Sequence, residues 1–144
     1  MASYKNDEWL NAQGSVQGRR AYVRKNVSLL NTAKAEFPWV VIVNLAYQPR
    51  DEDGMPAYQS ELENLDATEE SVADQMHKAF GALFGLVVTS DGTRDLFFFL
   101  PHAPHEDALQ TAIEAADPSV DYDFFVRDDP DWRPYVQLLP TPRA

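Results

Sequence analysis

"FGLVVTSDGTRDLFFFL", residues Phe84 to Leu100, holds two runs of β-branched and aromatic residues around Asp91-Gly92. An Asp-Gly pair suits a tight hairpin turn, because the turn needs positive φ, which Gly adopts freely and Asp more readily than most residues. The spacing predicts paired strands near 84–90 and 93–100. The second run is apolar on both faces: Leu96, Phe98 and Leu100 alternate with Phe97 and Phe99. A sheet with one wet face alternates apolar with polar residues. Both faces of this sheet must therefore be covered.

"WVVIVNLAYQ" from Trp39 to Gln48 is a second two-sided apolar run, bounded by Pro38 and Pro49. "RRAYVRKN" sets Ala21 and Val23 against Arg20, Tyr22 and Arg24, the pattern of a half-buried strand, with "EWLNAQ" as its hairpin mate. "DYDFFVRD" supplies a last strand with Tyr122, Phe124 and Val126 on one face. Two segments have helical spacing. Between Tyr58 and Phe80, Leu62, Leu65, Val72, Met76 and Phe80 form a stripe that Glu61, Glu69, Glu70 and Asp74 mostly avoid, with "DATEES" as a place to kink. Between Glu106 and Ala116, Ala108, Leu109, Ala112, Ile113 and Ala116 form an apolar face, and Pro104 stands where a helix can start. With the first hairpin mate set aside, the order is strand, strand, helix, strand, strand, helix, strand. That order predicts an α+β fold: an antiparallel sheet with two helices on one face, as in a ferredoxin-like plait, in a single domain over 1–144.

Helices on one face leave the other open, and "DDPDWRPYVQLLP", Asp128 to Pro140, is the element left to cover it. Asp129 can cap a short helix and Pro130 suits its first position. Pro134 lacks an N–H and predicts a bent or two-step segment. Trp132, Tyr135 and Leu138, each three apart, would present one apolar edge, so a C-terminal helical tail packing on the sheet is expected. A second copy of the chain could cover the same face equally well, which leaves a homodimer open.

The totals limit the function. A chain of 144 residues buries roughly 68% of its unfolded surface, enough for a core without staples. There are no cysteines, which excludes disulfides and thiolate metal sites and suits a reducing, cytoplasmic setting. The N-terminal "MASYKNDEWL" has no signal-peptide core, and no run of about 18 apolar residues predicts a membrane span. A net charge of −11 repels nucleic-acid backbones and anionic lipid and favours solubility or a basic protein partner. The aromatics of "TRDLFFFL" lack the interleaved basic residues of an RNA-binding sheet, and "GRRAYVRK" is the one basic patch.

The sequence resembles a bacterial domain-of-unknown-function family, number six-nine-five. The resemblance rests on Trp9 before the first hairpin, Gly54 and Pro56 before the first helix, Glu61 within it, and Gly92 and Arg94 at the central hairpin. At the end stand Asp129, Pro130, Trp132 and Tyr135, with Leu138 and Pro140 beyond. It spans about Trp9 to Pro140 and implies an α+β bacterial cytoplasmic domain with no assigned reaction. Some similar chains are joined to a module like the regulator B of ribonuclease E, an acidic protein that acts by binding.

Other motifs argue against chemistry. His102 and His105 flank Pro104 on a loop rather than one helix face, and His77 is distant, so no metal is expected. "DEDG" fails as a calcium loop, because Pro49 and Ser60 stand where carboxylates are needed. Asp117, Asp121, Asp123, Asp128, Asp129 and Asp131 read as a solvated acidic edge that discourages strand addition. No nucleophile elbow, Ser–His–Asp set or phosphate-cradling loop stands out, so no catalytic residue and no cofactor are expected. The leading expectation is a non-enzymatic protein-binding or regulatory module. A small-ligand site or enzyme with a pocket beside the tail is the alternative, its binding residues Glu61, Arg94, Trp132 and Tyr135, with Glu61 and Arg94 paired. An immunity-type protein is the third reading.

Overall fold

The computed structural model describes residues 7–16, 19–47, 56 and 58–137. The described chain is α+β, with a six-stranded antiparallel sheet and three α-helices. The strands are β1 (Trp9–Val16), β2 (Arg19–Asn26), β3 (Trp39–Ala46), β4 (Leu83–Ser90), β5 (Thr93–Leu100) and β6 (Tyr122–Asp128). The helices are α1 (Gln59–Phe80), α2 (Glu106–Ala115) and α3 (Arg133–Gln137). Across the sheet the order is β1-β2-β4-β5-β3-β6. The segment around Gly54, with its acidic run, and Leu138 and Pro140 lie outside the described residues.

The β4–β5 hairpin forms at Asp91-Gly92, whose φ angles of 48° and 95° are the left-handed pair such a turn requires. "EWLNAQ" is the hairpin mate of β2: Trp9 faces Asn26 and Ala12 faces Val23. No kink interrupts α1, which runs unbroken for 22 residues and ends where Gly81 turns left-handed and donates its N–H to the His77 carbonyl. "DATEES" stays helical because Thr68 and Glu69 are buried and partnered, Thr68 with Ser119 at 3.1 Å.

Two apolar clusters lie on the two faces of the sheet. One joins Val41, Val43, Leu45, Leu96 and Phe98 to Leu65, Val72 and Met76 of α1 and to Leu109 and Ile113 of α2. The other joins Val40, Ile42, Val88, Phe97 and Phe99 to Trp132 and Tyr135. Neighbouring residues of β3 and β5 thus fall in opposite clusters, as the two-sided runs require. In β4 the alternation breaks at Gly85, where the pairing with β5 shifts register. Phe84 joins the helix-side cluster and Leu86 the reverse one. A bulge adds one residue and so swaps the faces of everything beyond it. Gly85 is also a spatial necessity, since a Cβ there would stand 2.5 Å from Phe99 Cε2.

The tail packs on this reverse face. Trp132 and Tyr135 are fully buried. The indole stacks on Phe99 with ring centres 3.9 Å apart and donates Nε1–H to the Phe37 carbonyl at 2.8 Å. Tyr135 meets both rings edge-on and donates its hydroxyl to the Asn26 carbonyl at 2.7 Å. The helix begins later than the sequence suggests, at Arg133. Asp129 caps it from outside by accepting from the Arg133 N–H at 2.9 Å. Pro134 does not interrupt the helix; it occupies the first turn, where a missing N–H costs nothing.

Candidate functional site

The long α1 crosses a sheet that β1 and β2 extend well past β4. Their extension leaves a groove of about 1030 Å³ between the first half of α1 and the helix side of β1, β2 and β4. Leu62, Asp66, Glu69 and Ala73 line it from the helix, at steps of four, three and four residues along one stripe. Trp9, Tyr22, Arg24, Phe84 and Arg94 line it from the strands. Trp9 meets Phe84 edge-on at 5.1 Å and carries the Arg24 guanidinium 5.6 Å from its ring centre.

An ion-pair network forms the groove's polar wall. Arg94 donates to Glu69 Oε1 at 3.1 Å, to Asp66 Oδ1 at 2.8 Å and to Thr89 Oγ1 at 3.0 Å. Arg24 pairs with the same Glu69 oxygen. Glu69 thus holds two guanidiniums from two strands. Its side chain is 12% exposed, whereas that of Asp66 is 63% exposed and stands at the rim. A buried carboxylate shared in this way fixes side-chain positions.

The four binding residues expected from the sequence do not share one pocket. Arg94 alternates with Leu96 and Phe98 and faces α1, while Trp132 and Tyr135 lie across the sheet in the reverse cluster. Glu61 lines a different, shallower recess with Tyr47, Ser119 and Val120. The partners of Arg94 are Asp66 and Glu69, one to two turns further along α1 than Glu61. A pocket under the tail gives way to a filled, stacked core. Among the described residues, no three His, Cys, Asp or Glu side chains come together as a metal site.

Sequence reasoning missed Arg24, Asp66 and Glu69, and it missed Lys25. The alternation of β2 puts Lys25 on the side of Ala21 and Val23, fully buried beneath the tail. Its Nζ donates to the Tyr135 carbonyl at 2.6 Å and lies 4.0 Å from that ring's centre. Burial, reinforced by the charge of nearby Lys34, lowers its pKa to about 8. Burial also raises the Tyr135 hydroxyl to about 12. Lys34 adds a second cation over the indole, 5.4 Å from its centre. The signal was present, since Lys25 continues the apolar stripe 21-23-25, but a lysine at such a position ordinarily reads as a strand end.

The fold and groove define an α+β domain with a groove on the helix side and a reverse side whose centre is covered by the tail. The chain belongs to the family of unknown function DUF695, whose pattern it matches over residues 7–139. The resemblance drawn from the motifs therefore holds. No curated protein matches the chain. No solved structure matches it either. No helix among the described residues is long and apolar enough to cross a membrane.

Proposed function

We propose that the chain is a non-enzymatic binding module whose groove between α1 and the β1–β2 hairpin takes a cationic segment of a partner protein. The observation that carries this reading is the groove's lining, which sets the apolar side chains of Trp9, Leu62 and Phe84 beside the acidic side chains of Asp66 and Glu69. Arg24 and Arg94 are already engaged by Glu69 and Asp66, and Asp66, with its side chain 63% exposed at the rim, still presents its carboxylate to an incoming cation. The whole chain carries −11 and adds a long-range attraction for basic partners. A chain without cysteines needs no oxidising compartment, which fits a cytoplasmic setting, and a bacterial source is what the family resemblance implies. For the scaffold we read β3 to β6 with α1 and α2 as a ferredoxin-like plait, both helices on one face, extended by the β1–β2 hairpin. The order β4-β5-β3-β6 and the shared helix cluster support it.

The test is a titration of Lys- and Arg-rich peptides, with acidic peptides as control, followed by amide shifts at Trp9, Tyr22 and Asp66. Expected are shifts confined to the groove with cationic peptides only, weakening as salt rises. Asp66→Lys should lower affinity about tenfold, the scale of one rim charge reversed. Equal response to acidic peptides, or shifts elsewhere, overturns the reading. A small ligand is the second reading, favoured by a groove volume near that of ligand pockets and by its aromatic wall. Groove shifts with a small-molecule library and none with peptides select it.

A further inference from the structure

Strand β6 is the outermost strand beside β3, and no described strand lies on its other side. Its outward backbone groups follow from the pairing. The Ala46 N–H donates to the Asp121 carbonyl at 2.9 Å and the Asp129 N–H to the Pro38 carbonyl at 2.8 Å, so odd-numbered positions bond inward to β3. The even positions Tyr122, Phe124, Val126 and Asp128 then turn their N–H and C=O groups outward. Phe124 bears this out: its N–H bonds to the carboxylate of its own neighbour, Asp123, at 2.8 Å. Beside that edge two apolar side chains are open to solvent, Phe125 at 47% and Val126 at 39%.

The sequence of β6 reads as its own complement. Laid antiparallel to a second copy about a two-fold axis at Phe125, Phe124 falls opposite Val126, Asp123 opposite Arg127, and Phe125 opposite itself. Phe124 and Val126 are outward-bonding positions, so they make the exchanged pair of ladder hydrogen bonds. Asp123, Phe125 and Arg127 occupy the pairs whose side chains approach more closely, with opposite charges facing each other twice. We propose that β6 pairs with β6 of a second copy of this chain in this register, continuing the sheet across the dimer. On pairing, Asp123 exchanges the Phe124 N–H for the partner's guanidinium, and that N–H finds a carbonyl. In a single copy the same carboxylate blunts the edge, so the dimer is reversible and of modest size.

The experiment is sedimentation of the full chain over a wide concentration range, with Asp123→Arg, Arg127→Asp and an equimolar mixture of the two. Wild type should pass reversibly from monomer to dimer. Each variant alone sets like charges opposite each other twice and should dimerise at least about tenfold more weakly. The mixture restores opposite charges in both pairs and should recover a heterodimer. Both positions are exposed, so the variants fold, which far-UV circular dichroism checks. Amide exchange at Phe124 and Val126 should slow as wild-type concentration rises. A wild type that stays monomeric, variants that dimerise like wild type, or a mixture that stays monomeric overturns the proposal. So does dimerisation that leaves the Phe124 and Val126 amides unprotected.

Discussion

Replacing Trp132 with Ala is the most direct test of how the reverse face is held. The indole is fully buried, stacked on Phe99 and hydrogen-bonded to the Phe37 carbonyl. Truncating a buried Trp costs about 3–5 kcal/mol through lost transfer energy and the cavity left behind. The orphaned carbonyl adds about 1 kcal/mol unless water reaches it. A total near 4–6 kcal/mol is a large part of the roughly 5–15 kcal/mol that holds a domain together. The melting temperature should fall by about 13–20 °C for a domain of this size. Urea unfolding followed by far-UV circular dichroism measures it, since removing a Trp alters the fluorescence itself. A hydrophobic dye should bind the folded variant, because Phe97 and Phe99 lose their cover. A loss below about 1 kcal/mol, with no dye binding, would mean that the tail is an ornament on a sheet already shielded.

The other expectations concern the network, the bulge and pH. Glu69→Ala leaves Arg94 buried without its shared carboxylate and should cost about 3–5 kcal/mol in urea unfolding, whereas Asp66→Asn, at the exposed rim, should stay within about 1 kcal/mol. Gly85→Ala drives a methyl group into Phe99 and should destabilise by about 1–3 kcal/mol, with the Trp132 side-chain resonance shifted as the stack moves. Lys25 has a folded pKa of about 8 against 10.5 unfolded, so the unfolded chain binds more protons between those values and stability rises with pH there. Tyr135 has a folded pKa of about 12 against 10, so its contribution is full below 10 and fades toward 12. Stability measured by urea unfolding should therefore climb above pH about 8 and turn over near 10, and Lys25→Met should abolish the climb.

Strands, helices and the tail were legible because each is written in local pattern. Asp91-Gly92 specifies its turn, and unbroken apolar runs at β3 and β5 demand cover on both faces, which points to Trp132 and Tyr135. The groove was not legible, because its parts meet only through tertiary register. Glu69 lies 45 residues from Arg24 and 25 from Arg94. On a helical wheel Glu69 sits beside the apolar stripe and passes for a solvated acid, and Arg24 passes for the wet side of β2. The face swap at Gly85 was hidden for a related reason. "LFGLVV" is apolar throughout, so a shift by one leaves no polar residue out of place to signal it.

Order of synthesis gives the tail one more consequence. Every described strand leaves the ribosome before Trp132 and Tyr135 do, at a pace of roughly 5–20 residues per second. For a second or so a nascent chain owns the whole sheet while one side of it stays sticky, open to chaperones and proteases. A product cut short after Asp128 would remain in that state. Trp132 and Tyr135, made after the strands they cover, thus set the moment at which the reverse side of the sheet closes.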